Sequence, residues 1–198
     1  SLDGGHRVGI CGTFLENGDF CDITSLNIRI ANRLKNVSAS VPTEILKSGV
    51  LVAGPPGSGK TSFLRDCAKR LSSGKESARV AVIDTRNELF SSDFKDLGEN
   101  CDVLKISDKR KGIETALRTL YPQIVIFDEI GSISQAEAVT ECFNSGISVI
   151  TSAHAGGISD LKERKVIKIL LDSGAVKNTV LLSSAHRYPP RVIPVKDI

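Results

Sequence analysis

Short uninterrupted apolar runs alternate along the chain with longer stretches of helical period. Val50-Leu51-Val52-Ala53, Val80-Ala81-Val82-Ile83 and Ile124-Val125-Ile126-Phe127 read as buried strands, and residues 101–106 and 147–152 read as two more. Phe63, Leu64, Cys67, Ala68 and Leu71 fall on one face of a helix over 60–71, which Ser72-Ser73-Gly74 stops. Ile113, Ala116, Leu117 and Leu120 repeat at i, i+3, i+4 and i+7, so 112–121 is an amphipathic helix ended by Pro122. Ser134 and Glu137 have the spacing of a capping box for a helix running to Asn144, with Gly146 closing it. A helix over 159–172, a strand over 179–184 and an edge strand over 191–195, set among prolines, complete the series. Residues 91–100 are polar and loop-like. The alternation predicts an α/β protein with a mostly parallel sheet and helices on both faces.

The first quarter has a different texture. Residues 7–15 and 19–26 read as two strands joined at Asn17-Gly18, a strong hairpin turn. Residues 27–34 carry Ile28, Ile30, Ala31 and Leu34, a mixed pattern read as a short helix, and 37–47 is a connector containing Pro42. Residues 1–47 are therefore expected to be the tail of an N-terminal domain with its linker, and 48–198 the main domain. A chain that starts at Ser1 and contains no Met reads as a fragment or processed form of a longer protein.

Composition narrows the class. Apolar content of 40% and charged content of 25% belong to a water-soluble globular domain, and no apolar run reaches membrane-spanning length. A net charge of +3 is too small to argue for nucleic acid. The five cysteines are far apart and form no Cys-x-x-Cys pair, which disfavours a disulfide framework or a zinc site and fits a reducing cytosol.

The sharpest chemical signal is Gly54-Pro55-Pro56-Gly57-Ser58-Gly59-Lys60-Thr61, followed by Ser62, between a predicted strand and a predicted helix. It satisfies every defined position of a phosphate-binding loop. Its glycines let backbone N–H groups turn toward phosphate oxygens, and the helix N-terminus adds unpaired donors and a favourable dipole. Lys60 is expected to reach the β- and γ-phosphates of ATP, and Thr61 to ligate Mg²⁺. The fold expectation becomes a RecA-like P-loop NTPase core.

Asp128-Glu129 ends the strand 124–127 as a Walker B pair would. Asp128 is expected to hold Mg²⁺ and Glu129 to polarise the attacking water, an arrangement for hydrolysis. A small-molecule kinase would need an acceptor pocket and a basic lid, and neither is evident. His154 lies just past the strand 147–152, where it would face the γ-phosphate if that strand neighbours 124–127. Asp84-Thr85-Arg86-Asn87-Glu88 follows another strand and should lie at the same sheet edge, with Glu88 placed to position water or Mg²⁺ and Arg86 to touch phosphate or a neighbouring subunit. Hydrolysis in this class commonly needs an arginine from a neighbour. Arg7, Arg29, Arg33, Arg187 and Arg191 are the candidates outside the central core.

With these residues the chain resembles the stage III sporulation protein AA family, relatives of the type II and type IV secretion ATPases. The likeness lies in Gly5 to Gly9 with Ser25 to Ala31, in Gly54 to Thr61, in Ile124 to Gly131 and in Thr151-Ser152-Ala153-His154-Ala155. There are departures. Thr85 and Asn87 replace Glu and Ser in the family's Asp-Glu-Arg-Ser-Glu box, residues 91–115 are shorter and divergent, and no Arg-Asp follows Glu129.

The resemblance implies a ring-forming, hexameric, cytoplasmic ATPase docked on membrane-embedded components of a channel between mother cell and forespore. Nucleotide would open and close the angle between an N-terminal domain and this core. Two other readings stay open: a nucleotide-binding scaffold or switch with little turnover, and a nucleic-acid-linked ATPase. The latter draws little support from the near-neutral charge and the lack of Trp.

Overall fold

The computed structural model describes residues 6–30, 34–90, 97–183 and 189–198. Seven strands form one sheet: β3 (Val50–Gly54), β4 (Val80–Ile83), β5 (Cys101–Leu104), β6 (Ile124–Phe127), β7 (Ser148–His154), β8 (Asn178–Leu181) and β9 (Arg191–Pro194), in the order β5-β4-β6-β7-β3-β8-β9. All neighbours run parallel except β8–β9, which pair antiparallel, and the order leaves β9 at one edge and β5 at the other. The two ladders around β7 matter most. They pair Gly54 with His154 and Phe127 with Thr151.

Strands buried on both faces cannot show a polar side, which is why their sequences read as continuous apolar runs. Alternation nevertheless sorts the side chains. Val50, Val52, Val80, Val82, Ile124 and Ile126 pack with Leu46, Phe63, Leu64 and Leu71 on one face, where α1 (Thr43–Leu46) and α2 (Lys60–Ser72) lie. Leu51, Ala53, Ile83, Val125 and Phe127 pack on the other with α3 (Lys109–Thr119), α4 (Ile133–Asn144), α5 (Ile158–Glu163) and α6 (Lys165–Asp172). The connector before β3 belongs to the first layer: Val41 and Leu46 are fully buried, and Asp66 of α2 accepts from the Asn36 N–H and from both the N–H and hydroxyl of Ser38.

Four sequence expectations are corrected. The helix expected over 27–34 is instead the end of a strand, because β1 (Arg7–Phe14) pairs with β2 (Phe20–Arg29) as far as Arg7 opposite Arg29, so the two-residue period of Leu26 and Ile28 wins; residues 31–33 lie outside the described residues. The cap of α4 is Ser132, which accepts from the Gln135 N–H, while Glu137 pairs with Arg110. The helix expected to start at Gly112 starts at Lys109, capped by Asp108. The single helix expected over 159–172 breaks at Arg164, whose extended backbone separates α5 from α6. Ser184, the end of the strand expected over 179–184, and residues 91–96 of the polar loop lie outside the described residues.

The hairpin stands apart from this packing. Val8 opposes Ile28 and Ile10 opposes Leu26, so the four share one face, and all are exposed. Among the described residues no helix is long and apolar enough to cross a membrane.

All five cysteines are free. Burial pushes the Cys101 and Cys142 thiols up to about 12 and raises Cys67 as well. Because the thiolate is the reacting form, a thiol reagent at neutral pH should modify exposed Cys11 rapidly. Cys67, Cys101 and Cys142 should react only as the protein unfolds. Mass spectrometry of labelled peptides with and without denaturant checks this; rapid native labelling of Cys67 would contradict the packing of α2.

Candidate nucleotide site

The parallel ladders bring the ends of β3, β4, β6 and β7 to one edge of the sheet, and each end carries a residue singled out above. After β3 the chain turns through 54–59 into α2. Gly59 stands at the helix N-cap with φ 89°, and no side chain caps the helix. The other two helices longer than ten residues, α3 and α4, are each capped by a side chain. No acidic residue occupies the first turn of α2. Its free N–H groups thus keep both their hydrogen-bonding capacity and the positive end of the dipole for an anion. Gly54 is constrained as well, since a Cβ there would come 2.6 Å from Ser58 Oγ and 2.7 Å from the Leu182 carbonyl oxygen. Ser58 Oγ is buried without a hydrogen-bond partner. These features fit a phosphate group.

Lys60 is almost fully buried, and its ammonium donates to the carbonyls of Gly54 and Pro55, each at 2.9 Å. Burial lowers its pKa, and the carboxylates of Asp128 and Glu129 oppose that shift. Its third contact is His154 Nδ1 at 3.1 Å. An ammonium has only protons to offer, so Nδ1 accepts in this contact. Nε2 lies 3.7 Å from Glu129 Oε1. Lysine, imidazole and the Glu129 carboxylate therefore form one chain of neighbours across the edge. His154 itself is the last residue of β7, which lies between β3 and β6, as its proposed role requires.

A second chain of contacts runs beside the first. The Thr61 hydroxyl donates to Asp128 Oδ2 at 2.9 Å, and the Ser152 hydroxyl donates a short bond to Asp128 Oδ1. Ser152 Oγ also accepts from the Glu129 N–H at 3.0 Å, and its carbonyl accepts from the Ile130 N–H at 2.8 Å. Among the described residues no group of three or more His, Cys, Asp and Glu side chains could hold a metal ion. The hydroxyl–carboxylate pair of Thr61 and Asp128 does suit Mg²⁺, which keeps much of its shell from water and phosphate oxygens.

The loop after β4 is organised by Asp84. This buried carboxylate accepts from the N–H groups of Glu88, Leu89 and Phe90 at 2.9–3.1 Å. Arg65 of α2 grips the opposite side of the loop by donating to the carbonyls of Glu88 and Leu89. Glu88 is thus held by its backbone on both sides. Arg86 extends to Glu129 Oε2 at 3.4 Å, a pair whose arginine is 68% exposed and therefore contributes little to stability. Among the arginines considered for a neighbour's site, Arg33 and Arg187 lie outside the described residues, as do the side chains of Arg7 and Arg29. Arg191 is exposed opposite Leu181, at the same sheet edge as the phosphate loop.

Sequence reasoning missed Ser152, Arg65 and Lys109. Ser152 had a readable signal, a hydroxyl in a strand otherwise expected to be dry. Arg65 and Lys109 act on backbone carbonyls, which leave no mark in side-chain pattern.

A family model described as sporulation stage III, protein AA matches residues 1–197. The chain belongs to this family. Stage III sporulation protein AA of Bacillus subtilis (strain 168) is 34% identical over 211 residues, which cover all of this chain and 68% of that protein. Among solved structures, the ATPase DotB of Legionella pneumophila superposes with a TM-score of 0.66 at 18% identity, over 89% of this chain and 53% of DotB. The pilus retraction motor PilT with bound ADP superposes with a TM-score of 0.57 at 15% identity, over 89% of this chain and 58% of PilT. The chain thus spans about two thirds of the Bacillus protein and somewhat over half of DotB and PilT. At these identities the structural likeness is one of fold, a mostly parallel sheet with helices on both faces.

Replacing Asp84 by Ala should leave two buried N–H groups, those of Leu89 and Phe90, and the half-buried one of Glu88 without their acceptor. We expect a loss of roughly 3 kcal/mol in urea unfolding with the m-value unchanged. A loss below about 1 kcal/mol would mean that the loop is held mainly by Arg65.

Proposed function

We propose that this protein is the ATP-hydrolysing motor of a sporulation-associated secretion or channel complex and works as a ring, a hexamer. The observation that carries the reading is the pair of contact chains Lys60–His154–Glu129 and Thr61–Asp128–Ser152, assembled behind an uncapped helix N-terminus. The backbone of 54–59 with Lys60, Thr61 and Ser62 binds the phosphates. Thr61 and Asp128 would hold Mg²⁺, which would supply charge neutralisation for the phosphates.

Glu129 orients the attacking water and takes its proton. His154, which touches Lys60 and lies near Glu129, exchanges these contacts for the γ-phosphate and so reports nucleotide state along β7. Glu88, carried on the loop clamped by Asp84 and Arg65, helps to position the water. A neighbouring subunit supplies the arginine that offsets charge developing in the transition state.

The hairpin fits the same reading as the trailing part of a preceding domain, with residues 1–47 as its end and linker and 48–198 as the ATPase domain. A two-stranded sheet with one bare apolar face is marginal in water, and about a third of the Bacillus protein's length lies outside the match. The motor then acts in the cytoplasm, on the mother-cell side, docked on membrane-embedded channel components. The closing of one domain on the other drives assembly of the channel or transport through it.

Two measurements test this. Lys60→Ala should weaken ATP binding at least tenfold, while Glu129→Gln should keep ATP and reduce turnover roughly 100-fold or more; full turnover by Glu129→Gln would remove Glu129 as the base. The ATPase rate per subunit should rise with protein concentration in step with oligomer formation seen by light scattering. A rate that stays constant for a monomer would sink the shared site, and binding without turnover in the assembled ring would make the protein a nucleotide switch.

A further inference from the structure

We propose that Lys109 is a positioning residue for hydrolysis, a clamp that holds the backbone of Glu129 so that its carboxylate faces the attacking water. The proposal rests on the reading of Glu129 as the base. Glu129 has φ 45°, in the left-handed region where a residue with a Cβ is strained. Such a conformation persists only where its surroundings over-determine it. Here the surroundings can be named. The Glu129 N–H donates to Ser152 Oγ, and the next N–H, that of Ile130, donates to the Ser152 carbonyl. The Glu129 carbonyl, the remaining group of the turn, accepts from Lys109 Nζ at 2.5 Å, and the Asp128 carbonyl accepts a short bond from the same ammonium. One cation thus bridges two successive carbonyls at the end of β6.

The lysine's location strengthens the point. Lys109 is the first residue of α3, directly after the Asp108 cap. A cation in the first turn of a helix opposes the helix dipole, so local helix stability does not account for it. The two carbonyls of the Walker B turn and the face of Phe127, 5.4 Å from the ammonium, offset that cost. Burial lowers the Lys109 pKa, Asp128 opposes that shift and Arg86 adds to it. With its protons directed at carbonyls, Lys109 acts on the reaction through Glu129. The arrangement also ties α3 to the site, since α3 packs against α4 through Arg110, which pairs with Glu137 and Glu141. Movement of that helix layer would therefore be felt at the base.

The test compares Lys109→Met, Lys109→Arg and Glu129→Gln in the assembled full-length protein, measuring kcat, KM for ATP and the affinity for a non-hydrolysable ATP analogue. Lys109→Met is expected to lower kcat about 10–100-fold with KM and analogue affinity within about twofold, because phosphate binding does not use it. Lys109→Arg, which can donate to both carbonyls, should restore much of kcat. Adding Lys109→Met to Glu129→Gln should cost little further, since both act through one carboxylate. If Lys109→Met does not fold, Lys109→Gln, with one amide donor group, takes its place with the same expectation.

A kcat within twofold of the parent, or equal losses in kcat and analogue affinity, would overturn the clamp. If Glu129→Gln is inactive while Lys109→Met is fully active, the clamp alone falls. If Glu129→Gln turns over normally, the underlying reading of the base falls with it.

Discussion

The register of three parallel strands is the constraint on which the site depends. β7 sits between β3 and β6, pairing Gly54 with His154 on one side and Phe127 with Thr151 on the other. A slip of one residue in either ladder would turn the His154 or Ser152 side chain to the opposite face of the sheet. Lys60 would then lose its imidazole contact, and Asp128 and the Glu129 N–H would lose the Ser152 hydroxyl. Apolar residues on both faces make such a slip costly, because every buried strand fills two core layers at once. The core therefore secures geometry at the edge as well as stability in the middle.

Around that edge, polar groups are held mainly by backbone. Asp84 collects three N–H groups, Arg65 two carbonyls of the same loop, and Lys109 two carbonyls of the turn after β6. Charged side chains thus set the course of two loops, and those loops carry Arg86, Glu88 and Glu129 to the site. Loops held by their backbones present those side chains from fixed places at the sheet edge. The strain at Glu129 is the clearest mark of that arrangement, since nothing in a strand end requires a left-handed residue.

The hairpin shows the opposite balance. Its strands satisfy each other's backbone groups, yet Val8, Ile10, Leu26 and Ile28 face water. The core strands read correctly because burial, period and length agree there. The segment 27–34 did not, because Ile28, Ile30, Ala31 and Leu34 suit either a short helix or the end of a strand. Pairing with residues twenty positions earlier decided it. The misassigned cap of α4 and the unforeseen break at Arg164 have a similar origin, since Ser132 and Ser134 both qualify as caps and neither Gly nor Pro marks the break.

Sequence alone determined the core strands, the glycine-rich loop before α2, the acidic pair at the end of β6, the histidine at the end of β7 and the family. These depend on local periodicity or on short spacings, which a linear chain records directly. Tertiary structure alone decided that Lys60, His154 and Glu129 form a chain of neighbours, that Ser152 links Asp128 to the Glu129 backbone, and that Arg65 and Lys109 hold loops by their carbonyls. Each of those contacts joins residues far apart in sequence, and most involve backbone atoms that every residue carries, so no residue type announces them.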